Sequence, residues 1–177
     1  MNAPISLIIN IAGPDRPGLV QSLSTTISNA NGNWEGSRMA RFEGHFAGVV
    51  HAVVSPENLD SLKKSLIALA SDELLVSVVE GGSGKAETTQ GVEVFSLEVV
   101  GQDRTGIVSE ISRVLASMGV NVEELATECS SAPMSGERLF EAHAVIEIPA
   151  NHSGETVQQE IEKIAQDLAV TISEFDD

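Results

Sequence analysis

A motif written twice limits what this 177-residue chain can fold into. Residues 13–20 read GPDRPGLV, and residues 101–108 read GQDRTGIV. The same offset of 88 also aligns Ser24 with Ser112, Asn33 with Asn121 and Glu35 with Glu123. A unit of that length is too long for a solenoid repeat and long enough to be a small domain. The chain therefore reads as two related domains, residues 1–80 and 92–177. Between them, residues 81–91 read GGSGKAETTQG. Such a composition builds no core and is expected to act as a flexible linker. It is not a phosphate-binding P-loop, because Val79 stands at the first glycine position and Ala86 where Ser or Thr is needed.

Hydrophobic periodicity places the elements of the first half. Ile5, Leu7, Ile9 and Ile11 alternate at the strand period, and Ile8 makes the second face apolar as well. Gly13-Pro14 is expected to break that strand. Pro17 suits the first turn of a helix, where its missing N–H costs nothing. Val20, Leu23, Ile27 and Ala30 follow at helical spacing, until Asn31-Gly32-Asn33 ends the helix. Residues 34–43 and 46–54 predict two strands hinged at Glu43-Gly44. Ser55-Pro56-Glu57 opens a second helix with Leu59, Leu62, Leu66 and Leu69 on one face, and residues 74–79 predict a fourth strand.

The second half repeats the order. Residues 94–100 predict a strand, and Ile107, Ile111, Val114, Leu115 and Met118 a helix. Residues 120–129 and 139–148 predict two strands. Val157, Ile161, Ile164 and Leu168 predict a helix, and residues 170–175 a closing strand. The connection between the middle strands, SSAPMSGER at 130–138, is longer here. From motif glycine to His-Ala-Val triplet, Gly18 to His51 spans 33 positions and Gly106 to His143 spans 37. The order β-α-β-β-α-β is the split βαβ arrangement. The expected fold is α+β: two tandem ferredoxin-like domains, each an antiparallel four-stranded sheet with two helices on one face.

Charge narrows the functional classes. The net charge is −16, of which residues 1–80 carry −3 and residues 92–177 carry −13. An acidic surface repels a phosphate backbone, so direct nucleic-acid binding is not expected. Aromatics make up only 3% of the chain, which also argues against a base-stacking platform. A cationic protein partner and plain solubility both fit the acidic second half. Cys129 is the single cysteine, so no disulfide framework exists within the chain. The N-terminal MNAPISLIIN lacks a basic region, and no apolar run reaches membrane-spanning length, so a cytoplasmic protein away from membranes is expected.

The repeated loop has the chemistry of a binding site. It runs from a strand end into a helix N-terminus, where backbone N–H groups lack intrahelical partners and favour an anion. Gly18 and Gly106 remove the side chain where a ligand backbone would approach. Arg16 and Arg104 can pair with a carboxylate. Asp15 and Asp103 can accept from a ligand ammonium or cap the helix. Leu19, Val20, Thr105, Ile107 and Val108 complete the two loops. Asn33 and Asn121 begin the second strand of each half, are expected beside the same edge, and carry both donors and acceptors. Together these groups suit a zwitterion, an amino acid. Taken singly, each residue also has a structural account: an Asp cap, a Gly turn, a solvated Arg. Thr105 replaces Pro17 and Val122 replaces Trp34, so the two loops are not chemically equal.

Catalytic chemistry finds no candidates. There is no Ser-His-Asp set, no paired carboxylates, no cofactor-binding signature and no metal-ligand spacing. His51 and His143 correspond between the halves and are expected as half-buried strand histidines. Cys129 reads as a structural thiol.

The D-R-x-G-[LI]-V loop at the first strand–helix junction of a βαββαβ unit, with Asn before the second strand, resembles the ACT domain family. Two in tandem, with Pro133-Met134-Ser135-Gly136 followed by Leu139-Phe140, are similar to the glycine cleavage system transcriptional repressor group. The resemblance implies a non-enzymatic regulator that binds a small amino acid, glycine or serine, at interfaces between paired domains. It further implies action through a DNA-bound activator of the LysR type, without direct DNA contact. Small sheets with open edge strands need covering, and a homodimer is expected.

Overall fold

Residues 3–81, 91–131 and 136–175 are described by the structure, a computed structural model. The chain divides into two units, residues 1–85 and 86–177. In the first, β1 (Ile5–Pro14), α1 (Leu19–Asn29), β2 (Asn33–Phe42), β3 (His45–Val54), α2 (Leu59–Ile67) and β4 (Leu75–Glu80) follow in order. In the second, β5 (Val92–Gln102), α3 (Ile107–Ser117), β6 (Asn121–Ser131), β7 (Arg138–Pro149), α4 (Gly154–Ile164) and β8 (Leu168–Glu174) repeat it. Both sheets have the same antiparallel order, β2-β3-β1-β4 and β6-β7-β5-β8. The split βαβ arrangement expected from the sequence is therefore present twice.

Alternation along the central strands explains why the sheets form and which face they bury. Leu7, Ile9 and Ile11 of β1 point to one side and meet Leu19, Leu23 and Ile27 of α1 and Leu62 and Leu66 of α2. Leu97 and Val99 of β5 do the same against Ile107, Ile111, Val114 and Leu115 of α3 and Val157 and Ile161 of α4. Each such buried aliphatic side chain stabilises its unit by roughly 1.5–3 kcal/mol. The cores are aliphatic, with Phe140 the one aromatic among the buried hydrophobic residues described.

Three local expectations need correction. First, Gly13-Pro14 does not break β1, which runs through both residues. The Asp15 N–H donates to the Gly44 carbonyl on the β3 side. Alternation then turns the Pro14 nitrogen toward β4, whose pairing with β1 has already stopped at Ala12. A missing donor costs nothing there. Second, α1 starts at Leu19, so Pro17 lies before the cap residue Gly18 and not in the first helical turn. The buried face is Leu19, Leu23 and Ile27, while Val20 is 46% exposed. Third, Leu168 belongs to β8, and Ile164 ends α4 with 42% exposure. Ala165 and Leu168 turn inward in its place. The other element ends shift by one to three residues from the periodicity.

The hinge at Glu43-Gly44 is a two-residue hairpin in which both residues have positive φ, 48° and 78°. Residues 82–90 of the expected linker lie outside the described residues, as do Ala132, Pro133, Met134 and Ser135 of the longer connection. A β-bulge interrupts β2 between Trp34 and Gly36, and a second interrupts β6 between Val122 and Glu124. Trp34 packs against the first core. Val122 is too short to do the same, and a gap of about 30 Å³ opens between α3 and β6, lined in part by Val108, Val122, Leu125 and Phe140.

The exposure difference along α1 yields a direct stability test. Leu23→Ala should destabilise the first unit by about 2–5 kcal/mol, and Val20→Ala by no more than about 0.5 kcal/mol. Equal losses in chemical denaturation would contradict the helix register described above.

Candidate ligand-binding loops

Both motif loops are held from the same two sides. In the first, the Asp15 N–H donates to the Gly44 carbonyl over 2.9 Å, and the Asp15 carboxylate pairs with the Arg41 guanidinium at 3.1 Å. In the second, the Asp103 N–H donates to the Arg138 carbonyl over 2.9 Å, and its carboxylate pairs with Arg138 at 3.1 Å. The aspartates therefore anchor the loop to the neighbouring hairpin and cap nothing. The arginines are about 70% exposed, so each pair contributes little energy. Different hairpin positions supply the arginine in the two units, which is why the pairing is invisible in the repeat alignment.

The cap position belongs to glycine. Gly18 and Gly106 have φ of 92° and 97°, a left-handed conformation in which a side chain is strained. The Ser22 N–H donates to the Gly18 carbonyl at 2.8 Å, and the Glu110 N–H to the Gly106 carbonyl at 2.9 Å, closing the first helical turns. Neither α1 nor α3 receives a capping side chain, whereas Ser153 caps α4. Leu19 and Ile107 are buried, and Val20 and Val108 face outward beside the loops. Thr105 is exposed, like Pro17 in the other copy.

The arginines differ most. Arg104 donates to both oxygens of Glu110, at 3.0 and 2.7 Å, and to both oxygens of Asp167, at 2.6 and 3.1 Å. The hydrogen bonds to Asp167 and then Glu110 raise the Arg104 pKa further, and those from Arg104 hold both carboxylates below their usual values. This clamp ties the loop to the first turn of α3 and to the lead-in of β8. Arg16 is exposed and has no hydrogen-bond or ion-pair partner among the described residues. It borders a cleft of about 310 Å³ together with Ile11, Pro17, Gly18, Leu19, Ser22, Leu69 and Leu74.

The asparagines do not join their loops. Asn33 pairs with Val53, which pairs with Ser6, at the end of the sheet remote from Asp15. Asn121 pairs with Glu147, opposite Val94, again remote from Asp103. Nine strand residues separate the two ends in each unit, about 30 Å at ~3.3 Å per residue. The amides serve the bulges instead. Asn33 Nδ2 donates to Glu35 at 2.6 Å, and Asn121 Nδ2 donates to Glu123 and, at 3.3 Å, to Glu147. The repeated Asn and Glu thus hold one structural feature in both units.

Sequence reasoning missed Glu110 and Asp167. Glu110 carries a weak signal, an acidic residue in a first helical turn. Asp167 lies 63 positions from Arg104, and only the folded register joins them. His51 is half-buried and shares a 2.9 Å hydrogen bond with the Ser6 hydroxyl. His143, expected to match it, is 60% exposed, 3.6 Å from Glu98. Cys129 is exposed on β6. Among the described residues, no three His, Cys, Asp or Glu side chains gather as metal ligands, and no helix is long and apolar enough to cross a membrane.

With this geometry in place, comparison with known proteins is informative. Residues 6–79 and, separately, residues 95–166 match the ACT domain family. Over 165 residues the chain is 23% identical to the glycine cleavage system transcriptional repressor of Escherichia coli K12, covering 92% of this chain and 85% of that protein. It is 32% identical over 77 residues to UPF0237 protein MJ1558 of Methanocaldococcus jannaschii, covering 43% of this chain and 79% of that protein. A crystal structure of an unknown protein from Galdieria sulphuraria superposes with a TM-score of 0.81 at 27% identity, covering 98% of this chain and all of that one.

Two outcomes follow from the loop geometry. Gly18→Ala should cost the first unit about 1–2 kcal/mol through backbone strain alone, since an added Cβ would meet no atom within 4 Å; a neutral result in chemical denaturation would refute the left-handed cap. The clamp should make the second unit acid-sensitive. Glu110 and Asp167 have depressed folded pKa values, so their contribution is present above the ordinary carboxylate range. It disappears as pH falls through the depressed values. On acidification from about pH 6 to about pH 3, its urea midpoint should fall more steeply in the wild type than in Glu110→Gln/Asp167→Asn. Parallel declines would show that the clamp is energetically silent.

Proposed function

The chain belongs to the ACT domain family, and from that premise we propose that it is an amino-acid-sensing transcriptional co-regulator that works through a protein partner. The observation that carries the reading is the pair of motif loops. Each presents an uncapped helix N-terminus beside an arginine at a strand–helix junction. Similarity to the Escherichia coli repressor along most of the chain supports the regulatory role. The ligand is a small amino acid, glycine or serine, taken at residues 15–20 or 103–108. Asn33 and Asn121 leave this site, because the folded register puts them at the far end of each sheet.

The mechanism rests on differential affinity. An amino acid bound at a loop favours one arrangement of domains or chains over another, and partner affinity changes with it. The partner is a DNA-bound activator of the LysR type. With a net charge of −16, the chain reaches DNA through that protein and not through phosphate contacts. A second copy covers edge strands such as β2 and β6, giving a homodimer.

Calorimetry with glycine, serine and a panel of other amino acids is the direct test, and heat at millimolar ligand is expected. Capture of the activator should change by about 5–150-fold when the ligand is added, the usual span of allosteric coupling. Capture that ignores every amino acid in the panel would replace the sensor with a ligand-independent interaction module. Sedimentation checks the dimer.

A further inference from the structure

The two copies of the motif arginine meet opposite surroundings. Four of the five N–H donors of Arg104 go to Glu110 and Asp167. The second unit thereby displays what this arginine does when carboxylates are within reach. In the first unit both carboxylates are missing from the guanidinium. Ser22 stands where the repeat places Glu110. Glu73 occupies the backbone position of Asp167: the Glu73 carbonyl faces Gly13, 2.8 Å from where a Cβ would be, as the Asp167 carbonyl faces Gly101 at 3.0 Å. Yet no hydrogen bond or ion pair joins Glu73 to Arg16.

We propose that the loop of the first unit is the ligand-binding copy, taking a small carboxylate on Arg16, and that the loop of the second unit is closed by the protein's own carboxylates. This rests on the amino-acid-sensing reading above and divides its two loops into unequal halves. The cleft beside Arg16, about 310 Å³, sits at the small end of the range for small-molecule sites. Its lining carries one charged side chain, Arg16, with the Ser22 hydroxyl as a neutral donor or acceptor and Ile11, Leu69 and Leu74 as apolar wall. One fixed cation selects a carboxylate, and a planar guanidinium binds it through two parallel hydrogen bonds. The lining offers no carboxylate for an ammonium group, which remains toward solvent. Recognition is therefore of the carboxylate and of a side chain small enough for the aliphatic wall.

Calorimetry on the full chain tests each part. Wild-type protein should bind one glycine or serine per chain and should not bind glycinamide, which keeps the ammonium and lacks the carboxylate. Arg16→Gln should weaken binding by roughly tenfold or more, with an unchanged unfolding midpoint because Arg16 has no partner among the described residues. Glu110→Ala/Asp167→Ala removes both acceptors from Arg104 and should raise the stoichiometry from one to two. Two sites in the wild type, undiminished affinity in Arg16→Gln, glycinamide binding as tight as glycine, or a stoichiometry still at one in the double variant would each overturn the assignment. Absence of heat with every compound and every variant is a different failure: it removes the amino-acid reading itself and this assignment with it.

Discussion

Each unit depends on a left-handed backbone at the residue between its first strand and first helix. At Gly18 and Gly106 the chain leaves an extended strand and enters a helix within four residues. That sharp change of direction needs φ near +90°, which glycine adopts at little cost and other residues do not. The turn determines which helical residue is first to face the core, Leu19 or Ile107, and so the register of the whole buried stripe. It also leaves the helix N-terminus without a side-chain cap and turns the preceding Asp and Arg outward. Fold and candidate site therefore share one conformational constraint.

Duplication preserved that constraint and let the charges around it diverge. The Asp-to-hairpin pair persists although its arginine comes from β2 in one unit and β7 in the other. The bulge in the edge strand persists with its Asn–Glu hydrogen bond. The motif arginine does not keep its environment: two carboxylates enclose Arg104, and none among the described residues pairs with Arg16. Three partly exposed charges sharing hydrogen bonds hold the second loop more firmly than a lone surface pair could, since networks suffer less from solvent and side-chain entropy than isolated pairs.

Much of this was legible in the sequence, and the failures have physical causes. Among the described residues, period-two and helical spacing located the central strands and the helices, because burial of one face is a local pattern. Val20 was misplaced because Leu19, one residue earlier, is also apolar and lies at helical spacing from Leu23 and Ile27, and packing alone selects which of the two faces inward. Pro14 was misread because its acceptability depends on where a neighbouring strand stops, which is a tertiary fact. Asn33 and Asn121 looked like site residues because the repeat kept them in step with the loop. Equal spacing in sequence says nothing about proximity when a helix of about 16 Å runs back along the sheet between them. Repeated residues can be retained for a bulge as readily as for a ligand. The Arg104 clamp was beyond sequence reasoning, since one of its acids lies 63 positions away and has no repeat counterpart with the same pairing.

An unequal pair of loops changes what kind of response such a protein can give. Two equivalent sites in one chain could couple to each other and sharpen the response within that chain. With one open loop, a single chain follows a simple saturation curve, and any steeper dependence on ligand must arise from association between chains. The closed loop is then not idle. On the assignment proposed above, the carboxylates of Glu110 and Asp167 would supply to Arg104 the interaction that a ligand would supply to Arg16, and the second unit would hold one state at any amino-acid concentration. A ligand shifts an equilibrium only by its differential affinity for two states. On that assignment a copy held in one state would contribute a constant surface, and the whole signal would be carried by the loop around Arg16.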